Sequence, residues 1–72
     1  MNWFANHRQE WIAQMLRTYG FVNRQHLMRH FGISSAQAAV DFRTFNDQNP
    51  GVMIYDARRK TYVASEPPQS FT

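Results

Sequence analysis

One glycine constrains this chain more than any other residue. Gly32 sits in Phe31-Gly32-Ile33-Ser34, between two apolar patterns of helical period. Leu27, Met28 and Phe31 form a stripe before it, and Ala38, Phe42 and Phe45 recur at i, i+4 and i+7 after it. Glycine enters the left-handed region without steric penalty, so a helix stops there. Ile33 can plug the core beneath the turn. Ser34 is a good N-cap, and with Gln37 three residues later it reads as a capping box. Asn23 is the matching N-cap for a preceding helix over 24–31. Two short helices joined by so tight a glycine turn are the signature of a helix-turn-helix.

The remainder is read around that unit. Ile12, Met15, Leu16 and Tyr19 recur at helical spacing, and Phe4, Arg8 and Trp11 continue the row backwards. They predict a first helix over 3–19, capped by Gly20, with Phe21-Val22 as an apolar connector. Asn46-Asp47-Gln48-Asn49-Pro50-Gly51 is rich in breakers and ends the third helix, placed at 34–48. The period then changes to that of strands. Val52 to Tyr55 and Lys60 to Ala64 predict a hairpin turning at Asp56-Ala57-Arg58-Arg59. The expected fold class is α+β, mostly α: a three-helix winged helix-turn-helix with a C-terminal two-stranded β-hairpin wing at 52–64. Residues 1–64 make the domain and 65–72, with two prolines, a tail.

A chain of 72 residues is one domain, and one this small is only marginally stable alone. Its 43% hydrophobic content excludes a disordered segment. The absence of cysteine excludes disulfide staples and Cys-based zinc modules. No basic-then-apolar leader opens the chain, and no apolar run approaches the roughly 20 residues of a membrane span. The expectation is a cytoplasmic protein without a membrane partner.

Enzyme chemistry finds no footing. The five acids and three histidines show no spacing that forces a nucleophile, base and orienter together. Each glycine (Gly20, Gly32, Gly51) falls at a helix end, not in a phosphate loop. His26 and His30 share the i, i+4 spacing of zinc metalloproteases, but Leu27, Met28 and Arg29 stand between them and no glutamate occupies the catalytic position. No catalytic residue, metal, cofactor or small-molecule substrate is expected.

The charge leans toward nucleic acid. Eight Lys and Arg face five Asp and Glu, for a net charge of +3, and seven of the eight are Arg. Arginine donates two parallel hydrogen bonds to a phosphate. With Ala38, Phe42 and Phe45 turned inward, Ser35, Ala36, Gln37, Ala39 and Val40 lie on or near the outer face of the third helix. A small, uncharged face lets a helix approach the base edges of the major groove closely. Gln37 has the donor and acceptor for adenine, or else it completes the capping box. Ser34 and Ser35 lie at unpaired backbone N–H groups that suit a phosphate. Arg24 opens the second helix, where a DNA backbone crosses. Arg43 has a flanking phosphate or Asp47 as its partner. Arg58, Arg59 and Lys60 crowd the hairpin turn, either as a solvated charge run or as phosphate contacts. Asp41 is expected to pair with the first or second helix, away from phosphate. Trp3, Phe4 and Trp11 exceed what one helix face needs; they either wrap around the third helix and the hairpin or join two copies in a homodimer.

These residues follow a spaced pattern. Arg8, Trp11-Ile12, Leu16, Gly20, Val22-Asn23-Arg24, Leu27, Phe31-Gly32-Ile33-Ser34, Gln37-Ala38, Asp41, Pro50, Tyr55-Asp56, Lys60 and Tyr62-Val63-Ala64 carry it. The chain resembles the N-terminal winged helix-turn-helix of WYL-domain transcriptional regulators, closest to the repressors beside BREX and CBASS anti-phage loci. The resemblance implies a sequence-specific regulator of double-stranded DNA, most simply a repressor. Bases would be read by Ser35, Gln37, Ala39 and Arg43, and phosphates held by Arg58, Arg59 and Lys60. Where Ala39 stands, the family often has a polar residue. Family members continue into a ligand-sensing WYL domain and a dimerisation domain. These 72 residues carry neither, as expected of a stand-alone protein, a phage-encoded one or an excised domain. The competing function is a protein-interaction module on the same scaffold, such as a phage protein engaging a host regulator or defence component.

Overall fold

A computed structural model describes residues 3–65; of the tail expected at 65–72, all but Ser65 lies outside them. Three helices, α1 (Trp3–Tyr19), α2 (Arg24–Phe31) and α3 (Ser35–Gln48), and three strands, β1 (Phe21–Val22), β2 (Met53–Asp56) and β3 (Thr61–Ala64), make up the fold. Every helix forms where its apolar stripe predicts it.

The turn between α2 and α3 is built as its residues require. Gly32 adopts φ 64° and ψ 39°, and its N–H donates to the Met28 carbonyl at 2.7 Å. The Ile33 N–H donates to the same carbonyl at 3.2 Å, closing α2. Ile33 then lies half-buried against the core. Ser34 restarts the helix: its Oγ accepts from the Gln37 N–H at 3.1 Å. The full capping box is on α2 instead. There the Asn23 side chain accepts from the His26 N–H at 2.8 Å, and His26 Nδ1 accepts from the Asn23 N–H at 3.4 Å. Gln37 does not reach back to Ser34, because its amide is bonded elsewhere.

The connector Phe21-Val22 is a strand. It pairs antiparallel with β3, Phe21 opposite Val63 and Val22 opposite Tyr62, giving a three-stranded sheet of order β1-β3-β2 rather than an isolated hairpin. The wing proper is β2 and β3 around a turn at 57–60, with Asp56 opposite Thr61 and Tyr55 opposite Tyr62.

Ile12, Leu16, Val22, Leu27, Ala38, Phe42, Phe45 and Met53 form the buried core, so every helix and two of the strands contribute. The α1 row fails at both ends: Phe4 in its backward extension and Tyr19 at its far end are exposed. Of the aromatic surplus of α1, Trp11 turns toward α2, while Trp3 and Phe4 stay exposed. Trp11 stacks on His30, with centroids 4.9 Å apart, and meets Phe31 edge-on. Trp3 stacks on His7 at 5.1 Å.

A candidate nucleic-acid interface between helix 3 and the wing

The position of the wing against α3 follows from three aromatic side chains. Phe42, on the inner face of α3, stacks on Tyr62 of β3 with centroids 4.1 Å apart and planes 7° off parallel. Tyr62 in turn meets its cross-strand neighbour Tyr55 at 4.8 Å. This column runs from core to surface and ends at Tyr55, which is 47% exposed.

Two adjoining grooves of about 440 Å³ each flank that column and share Arg24, Tyr55 and Tyr62. One lies between the N-termini of α2 and α3 and the wing turn, bounded by Asn23, Ser35, Arg59 and Lys60. The other lies between α3 and β2, bounded by Ala39, Arg43, Asn46 and Met53. Arg24, Arg43, Arg59 and Lys60 thus come from three separate elements to one face. Four cations around two small grooves make a surface suited to a polyanion.

Each expected site residue has a definite place. Arg24 donates from Nη1 to Ser35 Oγ at 3.1 Å, tying the start of α2 to the start of α3. Ser34 is exposed and occupied as the cap of α3. Ala36 and Val40 are exposed and Ala39 half-buried, so the outer face of α3 is small and uncharged, as expected. Gln37 is half-buried, and its Nε2 donates to Asp41 Oδ1 at 3.0 Å. Arg43 is exposed and, among the described residues, forms no ion pair with Asp47.

Asp41 is held inside, 3% exposed, as its expected role requires. Arg8 of α1 grips it from two nitrogens, Nε to Oδ2 at 2.6 Å and Nη2 to Oδ1 at 3.2 Å. Removed from the surface and neutralised, the acid does not repel a phosphate.

The wing turn is organised by Asp56. Its Oδ1 accepts from the N–H groups of Arg58 and Arg59 at 3.1 and 3.2 Å, and Oδ2 lies 3.7 Å from Arg59 Nε. This is an Asx-type turn, in which a short acidic side chain mimics backbone. Lys60 leaves it at φ 53°, the single non-glycine positive φ among the described residues. Arg58 and Lys60 are exposed and, among the described residues, form no ion pair.

Tyr55 and Asn46 border the grooves without having been expected there. The signal for Tyr55 is its place opposite Tyr62, which puts both on the groove side of the wing. No such signal marks Asn46, which reads as a helix-ending polar residue. His26 and His30 diverge in duty: one caps α2 and the other stacks on Trp11. No three His, Asp or Glu side chains converge as a metal site among the described residues.

Residues 5–71 match the family model of the BrxR transcriptional regulator winged helix-turn-helix domain. The chain belongs to this family. Two curated relatives extend the match. The DNA-binding transcriptional repressor CapW of Stenotrophomonas maltophilia is 32% identical over 65 residues, covering 90% of this chain and 22% of the relative. The repressor of the same name from Pseudomonas aeruginosa is 36% identical over 64 residues, covering 89% of this chain and 21% of its own. The chain therefore spans about a fifth of the curated relatives it matches, and the likeness is to one domain of each. The BrxR-type match takes in α1 from Ala5 onward, the Gly32 turn and the whole wing, all the elements that build the two grooves.

Proposed function

We propose that this domain binds double-stranded DNA sequence-specifically and acts in transcriptional regulation, most simply as a repressor. The observation that carries the reading is the convergence of Arg24, Arg43, Arg59 and Lys60 around the grooves beside an uncharged α3 face. The repressor names of the two relatives point the same way. In this reading α3 enters the major groove, with Ser35, Gln37 and Ala39 toward the bases. Ala39 supplies apolar contact only, suited to a thymine methyl. Ser34, Arg24, Arg43, Arg58, Arg59 and Lys60 hold phosphates, and Tyr55 adds a hydroxyl between them. No helix among the described residues is long and apolar enough to cross a membrane, and a cytoplasmic site of action accords with that. The chemistry is binding, with no catalytic step.

The test is selection from a random duplex library, followed by equilibrium binding to the selected duplex and to random duplex. Gln37→Ala should flatten preference at one base pair by roughly 5- to 150-fold, the worth of a good bidentate contact. Arg58→Ala and Arg59→Ala should weaken selected and random duplexes alike. A selection that returns no enriched sequence would overturn the sequence-specific reading.

Pairing of two copies belongs to the same proposal. Trp3 and Phe4 are 65% and 68% exposed and supply the contact, while Trp11 is already engaged by His30 and Phe31 and supplies less than its sequence position suggests. Sedimentation should show a dimer that Trp3→Ser/Phe4→Ser dissociates; a monomer at all concentrations removes this element.

A further inference from the structure

A free glutamine is an ambiguous reader. Its carboxamide can turn by 180° and present either a carbonyl or an amino group to the same base edge. Gln37 is not free. Its Nε2 donates to Asp41 Oδ1 at 3.0 Å, one helical turn along α3. The same carboxylate receives Nε and Nη2 of Arg8, at 2.6 and 3.2 Å. The main-chain carbonyl of Asp41 also receives Gln9 Nε2 at 2.8 Å, so α1 holds this residue by side chain and backbone together. The Arg8–Asp41 pair is nearly excluded from solvent, with side chains 12% and 5% exposed.

A carboxylate bound to a guanidinium only accepts hydrogen bonds. It therefore takes the amino end of Gln37 and rejects the carbonyl end. One Nε2 hydrogen is used on Asp41, leaving Oε1 and the second Nε2 hydrogen for a ligand. Those are the acceptor and donor that adenine requires, N6–H to Oε1 and Nε2–H to N7.

We propose that the buried Arg8–Asp41 pair sets the donor–acceptor polarity of Gln37, making Asp41 a positioning residue for base recognition and Arg8 its anchor. The proposal rests on the reading of Gln37 as a base contact. It deepens that reading by assigning specificity to two residues that never meet DNA. Asp41 on the recognition helix thereby gains a reason beyond charge neutralisation. Any buried partner for Arg8 would join α1 to α3, but only an acceptor-only group one turn from Gln37 fixes the amide.

The experiment compares the full chain with Gln37→Ala, Asp41→Asn and the double variant Gln37→Ala/Asp41→Asn. Each is titrated with the selected duplex, with duplexes altered one base pair at a time, and with random duplex. Circular dichroism melting is followed in parallel. In Asp41→Asn the new amide can turn to offer either a donor or an acceptor, so Gln37 regains its flip. The expected result is a loss of preference, by about fivefold or more, at the same base pair that Gln37→Ala flattens, with no further loss in the double variant. A purely structural role predicts a lower melting temperature and equal weakening on every duplex, without a change in preference. If Gln37→Ala flattens one position and Asp41→Asn leaves it sharp, the positioning role is overturned and the base contact stands. If Gln37→Ala flattens nothing, the base contact itself is overturned and the positioning role with it. If Asp41→Asn is unfolded at the assay temperature, Arg8→Met/Asp41→Leu takes its place. That pair keeps the site filled by apolar groups and leaves Gln37 untethered, with the same outcomes expected.

Discussion

At the residue scale, the wing turn holds the clearest conflict between stability and charge. Lys60 sits at φ 53°, a conformation that costs a residue with a Cβ about 1–2 kcal/mol. Glycine would remove that cost, at an entropic expense of roughly 0.5–1 kcal/mol. Lys60→Gly should therefore raise stability slightly, by about 0.5–1 kcal/mol, or roughly 2–8 °C in melting temperature for a domain of this size. The same change deletes a cation beside Arg59 and Tyr55, so DNA affinity should fall while stability rises. Thermal melting and duplex titration of one variant check both halves. A drop in both would mean that the lysine side chain is stabilising the turn through contacts of its own. A strained position filled by a cation is the pattern expected where binding outweighs folding.

At the element scale, α2 is the weak point. Eight residues are too few to hold a helix without help, and its first turn has no acidic residue to complement the dipole. The Asn23–His26 box stands in for that missing support. Asn23→Ala should cost about 1 kcal/mol, seen as a fall of roughly 4–8 °C in melting temperature. Because Arg24 follows at once and reaches Ser35, fraying there should also lower affinity for random duplex. An unchanged melting temperature would show that tertiary contacts alone hold the end of α2. Elements of this kind were legible in the sequence because their signals are local: a cap, a stripe and a glycine within a dozen residues. Strand β1 was not legible. Two residues display no period, and their partners, Tyr62 and Val63, lie at the other end of the chain. The capping boxes show the same limit. Both Ser34–Gln37 and Asn23–His26 have cap-and-third-residue spacing, but the amide of Gln37 is drawn away by Asp41, whose position is fixed by Arg8, 33 residues back. The inward role of Asp41 could be anticipated from its clash with phosphate; its grip on Gln37 could not.

At the scale of the whole molecule, the decisive quantity is how many cations act together. Arg24, Arg43, Arg59 and Lys60 come from α2, α3 and the wing and share one face because the Phe42–Tyr62–Tyr55 column sets the wing beside α3, and Arg58 stands exposed next to Arg59 in the wing turn. If all of these groups neutralise phosphates, the logarithm of the binding constant should fall with the logarithm of salt at a slope near −4.5. Between about 50 and 200 mM salt that amounts to roughly 500-fold in affinity. The Arg59–Asp56 contact tempers the figure, since a guanidinium 3.7 Å from a carboxylate must partly exchange partners to bind a phosphate. A slope between about −3.5 and −4.5 is therefore expected, moving by about one toward zero with each of Arg24→Ala, Arg43→Ala and Arg58→Ala. Asp56→Asn should leave the turn's two accepting bonds in place and make the slope steeper, as Arg59 is released. A slope shallower than about −2 would mean that the three elements do not engage one duplex together. The protein-interaction alternative predicts duplex binding that is weak or shallow in salt, because its cations would not be arranged to neutralise the phosphates of one duplex together. The same titration therefore separates a DNA reader from a docking module built on the same winged frame.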